Sequence, residues 1–597
     1  MTIPAIDHPG YWHTLRVVWR HLSRRRRWQL ALLGGMTILA TFADLVSIAA
    51  ILPFLAILAS PEQLFADVRI RPVIDLLGVN SPQDLLWPIT AFFIAAAAVS
   101  GILRLAVSWA QARLSHAIGI DLAVEMFDRT IHQPYTVHAA NNTSRAMAVI
   151  NGKSAKLVVG IILPTLTLLG GAALLIAIAV VLLALAPGLA TALLGGFAVI
   201  YGGVVILLRA RIRANGDRIA YEMPRVFQVL QESLGSIRDI LLDGSQRLHV
   251  RRLSASIGPM RRATASNIFL SQAPRFVIEA LGMIALAIAA YVIASGPTGI
   301  ESALPIFGAI ALGAQRLLPV AQQAYSSWTQ IRSAGPATAE CLQYLALPLP
   351  DRSSAKLAPL PFQREIRFEN VGFSYQTDSP PALQGIDLVI PHGTRLGIIG
   401  PTGSGKSTFA DILMGLLAPD AGQMCVDGCR INSANRPAWQ KHIAHVPQAI
   451  FLADTTLVAN IAFGVPPEQV DHALLQEAIA RAQLSETIER LPDGLETRVG
   501  ERGIRLSGGQ RQRIGIARAL YRKADVIVFD EATNALDSET EEKVIAAIEG
   551  LDRNLTLVMI AHRLSTLRNC DMIIRIEGGR LTQVSTDAEM IAAAGQQ

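Results

Sequence analysis

Gly400-Pro401-Thr402-Gly403-Ser404-Gly405-Lys406-Ser407 closes the apolar run Leu396–Ile399 and opens a stretch with helical spacing. The pattern GxxxxGKS between a strand and a helix is a phosphate-binding loop. Its glycines let backbone N–H groups curl around phosphates, and the helix N-terminus behind them adds positive potential. In that setting Lys406 reaches toward the β- and γ-phosphates and Ser407 ligates Mg²⁺. The pattern alone recurs by chance; the fitting flanks argue against that reading. The surrounding residues, short β-branched runs between glycine turns and amphipathic stretches, predict an α/β domain.

Downstream, Val526-Ile527-Val528-Phe529-Asp530-Glu531 is an apolar run ending in two carboxylates. A buried strand that delivers acids to the phosphate end of a sheet can hold Mg²⁺, with Asp530 as the metal partner. Glu531 is then placed to polarise an attacking water as general base. The plainer alternative makes both acids a helix cap.

Between these runs stands Leu506-Ser507-Gly508-Gly509-Gln510, heading the basic amphipathic stretch Arg511–Leu520. This pentapeptide resembles the signature motif of the ABC ATPases. The resemblance implies that Ser507, Gly508, Gly509 and Gln510 close over the γ-phosphate held by an opposite subunit. It also implies that the loop Gly400–Ser407 and Thr408 bind ATP, and that the aromatic ring of Tyr375 stacks on adenine. Gln448, in Val446-Pro447-Gln448, looks like the glutamine that touches Mg²⁺ and senses the membrane domain. Gly500-Glu501-Arg502-Gly503 resembles an exporter-specific segment, and Ala535-Leu536-Asp537 a loop that crosses the dimer interface. His562, after the run Leu555–Ile560, looks like the histidine that contacts the γ-phosphate. Asn534 departs from the family, which often has Ser there. ATP and Mg²⁺ are the implied cofactors, and a second copy of the same chain, forming a homodimer, is the implied partner.

Upstream the texture changes. Of the 597 residues, 51% are hydrophobic and only 17% charged, which points to lipid as the solvent of part of the chain. Six apolar segments reach the roughly 20 residues a spanning helix needs. They are Trp28–Leu58, Leu86–Ala110, Leu157–Leu185, Gly188–Leu208, Pro274–Ala294 and Ala303–Tyr325. The first exceeds the roughly 7–15 residues of a signal-peptide core and ends in no cleavage site, so it reads as retained. The expected fold is therefore an α-helical six-span transmembrane bundle followed by an α/β P-loop ATPase.

Charge assigns the sides. Arg24, Arg25, Arg26 and Arg27 precede the first span, and Arg209, Arg211, Arg213 and Arg218 follow the fourth. The loop Ser60–Asp84 has only Arg69 and Arg71 as cations. By the positive-inside rule both termini and the long loops Gln111–Lys156 and Arg209–Ala273 face the cytoplasm. Asp121–His132 and Val226–Leu242 keep helical apolar spacing, so the spans are expected to continue as helices beyond the bilayer. Pro61–Leu77 reads as a short amphipathic helix on the outer surface. The net charge of +6 is modest and its arginines flank apolar runs, which argues against a nucleic-acid binder. The cysteines Cys341, Cys425, Cys429 and Cys570 form no metal set, Cys425 and Cys429 lacking a second pair.

The expected domains are a cytoplasmic segment over 1–27, a membrane domain over 28–330, a linker over 331–362 and a nucleotide-binding domain over 363–597. Leu347–Pro361, rich in proline and polar residues, carries the linker reading. Within the membrane half four stretches resemble bacterial flippases that move lipid-linked oligosaccharides. They are Ala43-Asp44-Leu45-Val46-Ser47-Ile48, Gln133-Pro134-Tyr135, Pro274-Arg275-Phe276-Val277-Ile278-Glu279 and Ala314-Gln315-Arg316-Leu317-Leu318-Pro319. An exporter of peptides, drugs or other lipids is the alternative. Charges inside a bilayer cost about 2.5–3.5 kcal/mol each on insertion scales, so Arg104, Arg275 and Arg316 are expected to line a site for an anionic lipid head group. The plainer reading pairs Arg275 with Glu279 and lets Arg104 snorkel to the interface.

Overall fold

The first half of the computed structural model is built from long helices, as the apolar runs require. The structure describes residues 10–50, 84–185, 187–294, 304–349, 360–376, 380–500, 503–530, 550–561 and 570–585, with a few isolated positions between them. Contacts divide the chain into two units, one ending at Leu349 and one starting at Pro350, with Pro134–Thr136 grouped with the second.

In the first unit a surface helix α1 (Tyr11–His21) precedes α2 (Arg24–Ala49). Ser23 starts α2 by accepting a bond from the Arg26 amide. The long helices that follow are α3 (Leu86–Ile131), α4 (Leu163–Leu185), α5 (Pro187–Gly235), α6 (Gln246–Ala294) and α7 (Leu304–Leu345). α4 is entered from Thr143 through helical turns that include π-turns at Ala148–Lys153 and Val158–Ile162.

The helices outrun the apolar segments, as expected of the loops. Asp121–His132 falls at the end of α3, and Val226–Leu242 lies on α5 and the short helix Ile237–Leu242. Ionic contacts tie these extensions together. Arg26 donates from Nε and Nη2 to Asp121 at 2.7 and 3.1 Å, and His21 Nδ1 meets Glu125 at 2.8 Å. Lys153, fully buried, pairs with Glu340.

One boundary differs from the sequence expectation. The sixth span does not give way to linker at 331, because α7 continues to Leu345. Ile331, Ala334, Thr338, Cys341, Leu342 and Leu345 are all buried at helical spacing, and that stripe holds the chain helical. Most of the end of the first span, and Pro61–Leu77 apart from Glu62, lie outside the described residues.

The second unit holds two sheets. Strands β1 (Glu365–Phe373), β2 (Leu383–Pro391), β4 (Ala421–Val426) and β5 (Cys429–Arg430) make an antiparallel sheet in the order β2-β1-β4-β5. The other sheet runs β10-β9-β3-β8-β7-β6. Its members are β3 (Arg395–Ile399), β6 (Ile443–Val446), β7 (Val526–Asp530), β8 (Thr556–Ile560), β9 (Met572–Glu577) and β10 (Arg580–Ser585). β3, β7 and β8 are parallel and buried nearly throughout, which explains their unbroken apolar sequences. Alternation splits them between two cores: Val526 and Val528 face Phe368, Phe409 and Trp439, whereas Ile527 and Phe529 face Leu475 and Ile514. Helix α8 (Lys406–Leu413) anchors in the first core through Phe409, stacked on Phe368 at 4.6 Å. Burying such a ring contributes roughly 1.5–3 kcal/mol and fixes where the phosphate loop emerges.

Candidate functional site

The loop Gly400–Gly405 leaves the centre of the parallel sheet and feeds α8, as the sequence motif requires. Gly400 has φ +151°, and a Cβ there would lie 2.1 Å from the Ile576 carbonyl oxygen. Only glycine lets the loop turn this tightly against β9. Lys406 Nζ donates to the carbonyls of Gly400 and Pro401 at 2.7 and 2.9 Å, so its ammonium sits inside the loop. The Ser404 hydroxyl is buried with no hydrogen-bond partner among the described residues. A buried orphan hydroxyl beside a cation and a helix N-terminus suits a phosphate oxygen. Thr402, Gly403 and Ser407 are exposed on the open side of the loop.

Tyr375 presents its ring to solvent at 57% exposure, packed edge-on against Phe373 at 5.1 Å. Its hydroxyl and Thr408 Oγ1 lie 3.2 Å apart, which ties the aromatic platform to α8. Asp530 ends β7 beside β8, half-buried. Gln448 lies exposed just past β6. Glu531, Asn534 to Asp537, Glu501, Arg502 and His562 lie outside the described residues.

The sequence reading missed Asp411. It stands one turn beyond Ser407 on α8, and burial together with the Asp530 carboxylate pushes it up to about 6. Two carboxylates near one another beside a serine hydroxyl suit a divalent cation. The i, i+4 spacing from Ser407 was the available signal.

The signature segment caps its own helix. Ser507 Oγ accepts from the Gln510 amide at 3.2 Å, and Gln510 Oε1 accepts from the Ser507 amide at 2.8 Å, at the head of α9 (Gly508–Tyr521). This reciprocal box fixes the helix start and leaves Ser507 exposed. Leu506 and Ile514 seat the motif in the second core.

In the first unit two of the three expected cations have described side chains, and the two have different surroundings. Arg104 donates from Nε to Asp44 at 2.8 Å, and Ser100 donates to the same carboxylate, which is 3% exposed. Its charge is matched by a neighbouring helix, so it is neither a free cation nor a snorkelling one. Arg275 lies 3.9 Å from Glu279, the pairing weighed from sequence, with both side chains about half exposed. Arg275 also lines a cleft of about 520 Å³ between α4, α6 and α7, together with Gln272, Gln322, Gln323 and Ser326. The Arg316 side chain lies outside the described ones. The amides of the cleft escaped a sequence search that looked for charge.

Comparison with known proteins places both units. The family described as ABC transporter transmembrane region matches residues 49–296, and that described as ABC transporter matches residues 383–534. The chain is 32% identical over 555 residues to an ATP-dependent lipid A-core flippase of Chromobacterium violaceum, covering 91% of this chain and 92% of that one. It is 28% identical over 590 residues to a protein of the same name from Cupriavidus metallidurans, covering 98% and 94%. A bacterial Atm1-family ABC exporter with ATP bound shares its fold at a TM-score of 0.76, with 22% identity over 95% of this chain and 96% of that one. The chain belongs to the ABC transporters in which a helical membrane domain and an ATP-binding domain share one polypeptide, and it couples ATP hydrolysis to transport.

Proposed function

We propose that the protein is a homodimeric flippase of a bacterial inner membrane that moves a lipid with a sugar-bearing head group. The observation that carries this reading is the cleft between α4, α6 and α7, which gathers amides and hydroxyls around Arg275. Polar groups inside a bilayer are costly and usually mark a substrate path. Relatives named lipid A-core flippases support the class, since a lipid A-core is itself a glycolipid.

The nucleotide chemistry is divided among the chain's residues. Lys406 and Ser404 hold phosphate oxygens, Thr402, Gly403 and Gly405 offer backbone amides, and Tyr375 carries the base. Ser407, Asp530 and Gln448 would hold Mg²⁺, which would neutralise charge on the phosphates. Glu531 takes a proton from the attacking water, and His562 steadies the γ-phosphate. Ser507 to Gln510 serve the partner's nucleotide, a role supported by the exposure of Ser507 at a positive helix N-terminus. Both termini are cytoplasmic, in keeping with the Arg26–Asp121 pair that joins the start of α2 to the end of α3.

The test is Glu531→Gln in the full chain reconstituted in vesicles. Hydrolysis should fall by roughly 10²–10⁴ while a fluorescent ATP analogue still binds, and ATP-dependent movement of a labelled glycolipid should stop. Near-normal turnover would remove Glu531 from its role. Continued lipid movement without hydrolysis would remove the flippase reading.

A further inference from the structure

We infer that the cleft and an apolar groove beside it form one glycolipid site, with sugar hydroxyls on the cleft amides and a hydrocarbon chain in the groove. This inference rests on the flippase reading and assigns the residues that recognise each half of the substrate.

Gln272, Gln322, Gln323 and Ser326 share the cleft wall with apolar side chains such as Leu163 and Phe276, and Arg275 is its cation. An amide both donates and accepts, as a sugar hydroxyl does. A head group of high negative charge would call for several cations, yet here the arginine is balanced by Glu279 at 3.9 Å. The lining therefore favours a hydroxyl-rich head carrying modest charge.

The groove, about 420 Å³, lies between α4, α5 and α7 and falls within the roughly 300–1,000 Å³ of ligand sites. Leu175, Ile176, Val205 and Leu317 line it, with Tyr201, Tyr325 and Trp328 as an aromatic wall. Tyr325 stands 5.7 Å from Tyr201 and 5.9 Å from Trp328, ring to ring. None of its lining residues is charged, so it offers hydrocarbon contact and little else.

Gln322 joins the two. It lines the cleft, accepts from the Tyr201 hydroxyl at 3.3 Å and donates to the Ser271 carbonyl at 2.7 Å. Its amide is thus held as a fixed partition. One turn further along α7, the buried Tyr325 hydroxyl lies at the groove wall with Thr329 as its hydrogen-bonding neighbour. Gln322 lies roughly 27 Å along α7 from Leu304 at 1.5 Å per residue, a depth that suits head-group capture from the inner leaflet.

The experiment uses the full chain in phosphatidylcholine nanodiscs. Three probes are titrated: a polyprenyl-monophosphate disaccharide with a brominated chain, the methyl ester of the same polyprenyl monophosphate without sugars, and the free disaccharide. Affinity is read from tryptophan quenching, and Trp328→Phe gives the share due to the groove. The sugared lipid should bind about tenfold more tightly than the bare lipid, the worth of one or two net hydrogen bonds. Gln323→Leu combined with Ser326→Ala should bring that ratio close to one and leave the bare lipid's affinity in place. Ala324→Trp, which fills the groove, should weaken both lipids. Elution as a single species and binding of an ATP analogue establish that each variant is folded. Equal affinity for both lipids in the unaltered protein, or a ratio that survives the double substitution, would overturn the inference and leave the flippase reading standing. Binding of neither lipid would overturn both.

Discussion

Replacing Gly400 with alanine tests whether the phosphate loop is shaped by its contact with β9. The new Cβ would stand 2.1 Å from the Ile576 carbonyl oxygen, a backbone atom, and a Cβ has no rotamer that could carry it away. Relief needs a shift of about 1 Å in the loop, and φ +151° adds strain of roughly 1–3 kcal/mol for a side-chain-bearing residue. A displacement of that size breaks at least one charge-assisted bond to phosphate, worth roughly 1.5–3 kcal/mol. ATP affinity should therefore fall about 30-fold. Gly428, in the turn between β4 and β5, is the control: its φ is +84° and nothing lies within 4 Å of a Cβ there. Gly428→Ala should cost roughly 1–2 kcal/mol of stability through backbone strain alone and leave ATP affinity unchanged. Titration of a fluorescent ATP analogue against the full chain, with thermal scans of each variant, reads both effects. Wild-type affinity in Gly400→Ala, or equal losses in the two variants, would refute the reasoning.

Other expectations follow from buried charge and from thiol exposure. Glu340→Gln leaves the fully buried Lys153 without its counter-charge, and the thermal midpoint should drop by an amount equivalent to about 3 kcal/mol; replacing Lys153 with Met as well should restore part of it. A maleimide should label Cys429 rapidly at pH 7, since it is exposed while burial pushes the Cys570 thiol up to about 12, and Cys429→Ser should abolish the fast phase. Asp411 is raised from 3.8 to about 6, so the folded state favours its protonated form and stability is lost as pH rises through that window. Asp411→Asn should accordingly stabilise the nucleotide-free protein at pH 7.5 by about 1–2 kcal/mol after allowance for solvent screening, with no gain at pH 4; a difference that does not change with pH would contradict this.

The nucleotide loop was legible because its chemistry is local. Strand, loop and helix stand within a dozen residues, and the phosphate imposes both spacing and residue type on Gly400 to Ser407. Pairings between helices were not legible. Arg104 meets Asp44 only because α2 and α3 pack in one register, and no local spacing encodes that. The cleft amides sit on α6 and α7 at positions that converge only after the helices pack. The continuation of α7 to Leu345 did leave a signal, the apolar stripe from Ile331, but the proline-rich stretch that follows drew the boundary too early.

The most direct measurement is lipid movement itself. The purified chain is reconstituted into vesicles with a fluorescent polyprenyl-linked saccharide, and leaflet accessibility to an impermeant quencher is followed with ATP and Mg²⁺. The account predicts ATP-dependent transfer that disappears in Lys406→Ala, whose ammonium sits inside the phosphate loop. Vigorous ATP hydrolysis with no change in leaflet accessibility would contradict it.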